Sequence, residues 1–281
     1  MRWVVALLGL AAGCRFELPP GMVVDDGPVG GEGSGSDMGG GDACPSGANP
    51  HDEDGDGVVD VCDLCPQIAN APALDSDLDG IPDACDPHIA TTGDVLLAFE
   101  PFAVDGPAPA GWQARGGGSQ NDWVVGGDAL RITSPDDNTR LLIFDTTFAA
   151  HTIDVGFEIV SVVGGGFEFI TAVGDVRSDV SQFMGCGIRV DNQTPAPDRE
   201  LIRNNNGNFT SPAFDASEPP AASGGYRIVL TIDKNVETCS VPNGANPHTL
   251  VGAETTQGNR FVGLRLNRAT IAFRYVAIYR I

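Results

Sequence analysis

Twelve residues from Asp52 to Asp63, "DEDGDGVVDVCD", and twelve from Asp75 to Asp86, "DSDLDGIPDACD", share one pattern, with aspartate at positions 1, 3, 5, 9 and 12 and glycine at position 6. Residues 44–87 hold eleven acidic side chains and no Lys or Arg, and ten of the eleven fall on that pattern. Like charges packed this densely repel one another unless a cation lies among them. Calcium takes six to eight oxygen ligands, and a D-x-D-x-D-G loop wraps alternate carboxylates around it, with a backbone carbonyl from position 7 and a further carboxylate from position 12. The expected ligands are Asp52, Asp54, Asp56, the carbonyl of Val58, Asp60 and Asp63 in the first loop. In the second they are Asp75, Asp77, Asp79, the carbonyl of Ile81, Asp83 and Asp86. Gly57 and Gly80 permit the sharp turn at position 6. Zinc prefers imidazole or thiolate and magnesium a tighter octahedron, so this all-oxygen set favours Ca2+, with two or more ions bound.

The elements around these loops repeat as well. "CPSGANPHDEDGDGVVDVCD" and "CPQIANAPALDSDLDGIPDACD" follow one plan, with Cys-Pro, an Asn five residues after the Cys, the acidic loop and Cys-Asp. Large apolar residues are too few between 44 and 87 for an ordinary core. On the aspartate ladder, the Cys-Pro and Cys-Asp junctions, Asn49 and Asn70, the segment resembles the thrombospondin type 3 repeat, a calcium-binding module. The resemblance implies a chain with little regular secondary structure wrapped around calcium, disulfides Cys44–Cys62 and Cys65–Cys85, and a second ion per repeat. This sequence departs from the family in having two units, in Leu64 before the second Cys-Pro, and in the end of the array at Asp86. Cys-Pro junctions stand where an EF-hand has helices, so we expect constitutive occupancy at extracellular affinities of roughly 0.1 to 1 mM, and a rigid spacer.

From Asp94 the texture changes to short β-type runs between Gly, Pro, Asn and Asp, among them "VLLAFEPF", "DWVVGGDALRIT", "TIDVGFEIVSV", "YRIVLTID" and "ATIAFRYVAIYRI". Residues alternate apolar and polar without sustained helical spacing, which predicts an all-β fold over 94–281, an antiparallel β-sandwich or jelly roll. The opening "LLAFEPF", "GWQ", "DWVVGGDALRI" and the closing "FVGLRLNRATIAFRYVAIYRI" resemble the concanavalin A-like lectins and glucanases, with laminin-G-like relatives. That fold hosts glycosidases, lectins and interaction domains alike, so a site must decide. Retaining glycoside hydrolysis needs two carboxylates about 5 Å apart, and the Glu-x-Asp-x-x-Glu ladder of such glucanases is absent from this sequence. Asp154 and Glu158 share a strand face and Glu168 lies on another run; all three are expected to be outward polar residues of half-buried strands. His151 and His248 are expected at the surface, and Trp112 and Trp123 in core or sheet-edge packing with sugar stacking as the alternative. No catalytic residue is assigned. Cys186 and Cys239 are candidates for a disulfide between strands. The sequons at Asn192 and Asn208 carry no expected role.

The 281 residues carry a formal charge of -22, from 38 acidic against 16 basic side chains, which disfavours nucleic acid and anionic membrane surfaces. The start "MRWVVALLGLAAGC" joins one cation to an apolar run too short to span a bilayer, as in an export signal. Its "LAAGC" ending resembles a bacterial lipobox, with Ala11 where Leu is usual, implying a signal peptide of residues 1–13 and lipidation at Cys14. Arg15 after that Cys points, by the same resemblance, to the outer membrane. Residues 14–43 form the lipidated Cys and a Gly/Ser/Asp-rich segment without hydrophobic periodicity, expected to act as a tether. Six of the seven cysteines remain for disulfides in an oxidising compartment. These readings predict a lipid-anchored surface protein with a calcium-bound segment and a non-catalytic module for a carbohydrate or a surface partner. A jelly-roll hydrolase and a purely structural envelope protein are the alternatives.

Overall fold

The structure, a computed structural model, describes residues 49–136, 138–162, 167–191, 198–215, 225–233, 236–242, 249–253 and 260–281. The signal peptide, Cys14, the tether, Cys44, Asn192 and His248 lie outside the described residues. Residues 49–94 run irregularly, with one 3-10 turn at Asp60–Cys62. Sixteen strands follow among the described residues: β1 (Val95–Glu100), β2 (Gly106–Pro107), β3 (Trp112–Gly116), β4 (Val124–Val125), β5 (Leu130–Thr133), β6 (Arg140–Phe148), β7 (His151–Val162) and β8 (Phe167–Val176). The remainder are β9 (Gln182–Asp191), β10 (Asp198–Asn205), β11 (Asn208–Asp215), β12 (Tyr226–Asp233), β13 (Val236–Ser240), β14 (Thr249–Ala253), β15 (Arg260–Asn267) and β16 (Ala269–Arg280).

They form two antiparallel sheets. One runs β14-β13-β12-β7-β16-β5-β4-β2, with β1 also paired to β16; the other runs β11-β10-β9-β8-β15-β6-β3. The expected sandwich is therefore present. Strict alternation makes β12 half-buried, with Tyr226, Ile228, Leu230 and Ile232 inward. The core between the sheets gathers Trp123, Leu130, Ile153, Val155, Phe157, Ile188, Leu201, Leu264 and Phe273. Trp112 and Trp123 are buried within it, Trp123 stacking on Phe273 at 6.3 Å, so neither is free to stack on a sugar. A disulfide between Cys186 on β9 and Cys239 on β13 joins the sheets, with Cα atoms 5.1 Å apart.

His151 departs from expectation. It opens β7, pairs with Ile232 and Arg280, and is buried, because the strand starts at His151 itself and places it beneath Gly174.

The larger difference concerns residues 49–94, which do not stand off as a spacer. Cys65, Ile81 and Cys85 pack on Ala277 and Tyr279 of β16, with Ile68, Ala71, Leu96, Phe99 and Ile281 completing a second core. The cause lies in β16. A register shift between Phe273 and Tyr275 leaves Phe273, Val276 and Ile278 facing the sandwich core and Tyr275, Ala277 and Tyr279 facing outward, so the strand is apolar on both sides. Fully burying one side chain such as Ile81 is worth about 1.5 to 3 kcal/mol, which favours docking over a free spacer.

Candidate metal centre

The two acidic loops have the same hydrogen-bond plan. Asp52 accepts the amides of Gly55 and Gly57, each at 2.8 Å, and Asp75 accepts those of Leu78 at 2.7 Å and Gly80 at 2.9 Å. Gly57 and Gly80 both have φ of 96°, the left-handed region that the turn demands. Asp54 and Asp77 accept the amides of Asp56 and Asp79 at 3.1 and 3.2 Å, while Asp56 and Asp79 accept those of Val58 and Ile81 at 2.8 and 3.0 Å. The backbone thus feeds donors to both oxygens of Asp52, Asp56, Asp75 and Asp79, and to one oxygen each of Asp54 and Asp77. One ligand atom from each of Asp52, Asp54 and Asp56 lies within 4.8 Å of the others, and the same holds for Asp75, Asp77 and Asp79.

Within each cluster one buried oxygen has no hydrogen-bond donor, Oδ2 of Asp54 in the first loop and of Asp77 in the second. A buried carboxylate oxygen left unsatisfied is costly. A hard cation removes that cost, and the donor set is all oxygen, so these residues fit calcium. Without an ion the strain is electrostatic: burial pushes the Asp54 carboxyl up to about 6, against the Asp56 amide and helped by the carboxylates of Asp56, Asp63 and Asp52. Burial first, then Asp79 and Asp75, raises Asp77 as well. Asp52 is held low, chiefly by the Gly57 amide.

The other expected ligands divide. At position 9, Asp60 accepts the Glu53 amide at 2.8 Å and faces His51 Nδ1 at 2.6 Å, and Asp83 accepts the amide and hydroxyl of Ser76, each at 2.7 Å. Both close the loop onto its second residue and stand outside the three-carboxylate clusters. At position 12, Asp63 and Asp86 accept the amides of Cys65 at 2.8 Å and His88 at 2.7 Å. Asp86 gathers with Asp79 and with Asp94, a residue the ladder did not include. Val58 is exposed while Ile81 is buried in the docking core. Cys65 and Cys85 form a disulfide across 5.7 Å between Cα atoms, and Cys62 is disulfide-bonded to a residue outside those described.

The carboxylate once considered for chemistry on the sandwich is committed elsewhere. Asp154 points outward from β7, yet it is buried under the docked segment, which corrects the expectation of a half-buried surface residue. Arg227 grips it with Nε at 3.1 and 3.0 Å and Nη2 at 2.7 Å, Tyr275 donates its hydroxyl at 3.1 Å, and Gln67 donates to it at 3.3 Å and to Tyr279 at 2.8 Å. Gly156 is required here, because a Cβ would meet the Tyr275 ring at 2.3 Å. Glu158 is half-buried opposite Ala272 of β16, and Glu168 falls on β8. On the other sheet, Asp198 and Glu200 share a face of β10, a pair that sequence reasoning missed because "DRE" opens its strand. Both are buried and bound to Arg189, at 2.5 and 3.7 Å.

An irregular acidic segment with paired carboxylate clusters, bridged internally by Cys65–Cys85 and docked by apolar side chains on a two-sheet jelly roll, defines a modular β-protein. Residues 36–72 match the family model of the thrombospondin type 3 repeat. No curated protein matches the chain. Among solved structures, the laminarinase from Rhodothermus marinus is similar over 67% of this chain and 98% of its own, with TM-score 0.50 and 12% identity. The GH43 BlXynB protein from Bacillus licheniformis matches with TM-score 0.50 and 14% identity over 64% of this chain, which spans 38% of that protein. The carbohydrate-binding module CBM66 from Bacillus subtilis matches at TM-score 0.45 and 14% identity, over 58% of this chain and 92% of its own. At these identities the two likenesses at TM-score 0.50 show the fold alone, a two-sheet β-sandwich of the jelly-roll kind.

Proposed function

We propose that this chain is an exported calcium-binding protein whose jelly roll serves as a non-catalytic binding module for a carbohydrate or a surface partner. The observation that carries the calcium reading is the pair of carboxylate clusters, each with a buried oxygen lacking a donor, in a segment matching a thrombospondin type 3 repeat. Asp52, Asp54 and Asp56 hold one ion and Asp75, Asp77 and Asp79 another, with Val58 and Ile81 contributing carbonyls. Asp63 and Asp86 serve the far side of each loop. The bound ion supplies charge cancellation and shape; no reaction is routed through it. Lipidation at Cys14 after removal of residues 1–13, and residence in a bacterial outer membrane, belong to the same proposal and are supported by the "LAAGC" ending and by disulfides. Among the described residues no helix is long and apolar enough to cross a membrane.

The docked segment covers the outward side of β16 and β7, so the ligand-facing surface is assigned to the other sheet. There Phe183, Asn204 and Phe209 lie side by side across β9, β10 and β11, with the Arg265 guanidinium 5.6 and 5.2 Å from the two rings. Phe209 is 48% exposed, and Asn204 stands between the two rings in the same register row. An exposed ring with an amide at its edge suits the apolar face and a hydroxyl of a sugar. The buried, arginine-bound Asp198 and Glu200 support a non-catalytic reading. The deciding experiment is a glycan array with a hydrolysis panel of β-glucans and xylans. Binding that weakens at least tenfold in Phe209→Ala, without release of reducing sugar, supports the proposal; hydrolysis abolished by Glu200→Gln overturns it in favour of an enzyme.

A further inference from the structure

Beyond the two loops stands a third carboxylate cluster, Asp79, Asp86 and Asp94, whose ligand atoms lie within 4.8 Å of one another. Asp94 belongs to the β domain: it immediately precedes β1, the strand that pairs with the end of β16. It is 3% exposed, and its Oδ2, like Oδ2 of Asp86, is buried without a hydrogen-bond donor. Its other oxygen faces His88 Nδ1 at 3.3 Å.

The position follows from the repeat's own spacing. In the first unit Asp56 Oδ2 accepts the amide of Asn70, fourteen residues on, at 2.9 Å. In the second, Asp79 Oδ2 accepts the amide of Gly93, again fourteen residues on, at 3.2 Å and that of Asp94 at 2.8 Å. The entry into the β domain therefore takes the path that the entry into a further repeat would take. One residue past Asn70 the first unit has Ala71, a side chain without a ligand atom; at the same step the second unit has Asp94. The two junctions differ in cation capacity by one carboxylate.

We infer that Asp79, Asp86 and Asp94 hold a divalent cation of the calcium type that bolts the repeat segment to the first strand of the sandwich. The inference rests on the calcium reading given above. Two donorless buried oxygens from two separate segments, beside a third carboxylate that backbone amides hold in place, make a hard-cation position rather than a hydrogen-bonded one. Asp79 belongs both to this cluster and to that of the second loop, so the two ions share it and their binding is linked.

The test uses the full chain stripped with EDTA and titrated with CaCl2, read by native mass spectrometry and by hydrogen exchange of amides 93–96. The wild type is expected to slow exchange at these amides at least tenfold with Ca2+, and Asp94→Asn to bind one ion fewer and lose that slowing. Asp54→Asn, in the first loop, is expected to lose an ion while keeping the protection at 93–96. Should Asp94→Asn fail to fold, the wild-type exchange result decides alone: protection supports the inference and its absence overturns it. An unchanged ion count and affinity in folded Asp94→Asn would overturn the junction site while leaving the loop sites standing. A wild-type protein that binds no Ca2+ would remove the calcium reading itself.

Discussion

Several side chains of the acidic loops and the sandwich can be tested singly. Asp77→Asn removes the charge of the carboxylate whose oxygen lacks a donor, so Ca2+ affinity measured by calorimetry should fall by at least tenfold. Position 4 of the loops needs a left-handed residue: it is Gly55 with φ of 75° in the first and Leu78 with φ of 67° in the second. A non-glycine residue there costs about 1 to 2 kcal/mol, less for Asn. Leu78→Asn should therefore raise the unfolding free energy by about 0.5 to 1 kcal/mol in saturating Ca2+. Glu100 gives a pH dependence away from the metal loops. Burial raises its carboxyl to about 7, against the Phe102 amide, so the folded state favours its protonated form. The resulting stability is complete below about pH 4.5 and is lost as pH rises through about 7; Glu100→Gln should flatten that decline by about 1 to 3 kcal/mol in denaturant melts. The aspartate ladder was legible because its spacing lies within twelve residues. Asp94 was not, since its relation to Asp79 is a phase of the repeat across a boundary where the composition changes.

At the scale of elements, the strands were legible from alternation and the docking was not. The run "AFRYVAIYRI" reads as one more sandwich strand, but its apolar residues on both faces were the sign that something covers the outside. Asp154 is the polar centre of that cover. Asp154→Ala would leave Arg227, 22% exposed, without its carboxylate, and breaking one partner of such a pair costs about 3 to 5 kcal/mol when buried. A loss of about 3 kcal/mol in urea unfolding is expected. The Cys186–Cys239 disulfide closes 53 residues between the two sheets. Replacing both cysteines by alanine should cost about 2 to 4 kcal/mol by the chain-entropy estimate, read as a lower denaturant midpoint with an intact jelly-roll circular dichroism spectrum.

Taken as a whole, the molecule is one structural unit from the repeat segment to β16, although its composition divides sharply near Asp94. A fragment beginning at Asp94 would expose Tyr279, Ala277, Leu96 and Phe99 together, an apolar patch that favours association. Such a fragment should sediment as oligomers where the full chain is monodisperse, and a monomeric fragment of equal thermal stability would show that the docking contributes little. The order of strands has a further implication. β16, last in sequence, lies between β7 on one side and β5 and β1 on the other. Until β16 has emerged this sheet is two separate pieces, β14-β13-β12-β7 and β5-β4-β2, and β1 has no partner strand, so the closing of the sheet waits on β16.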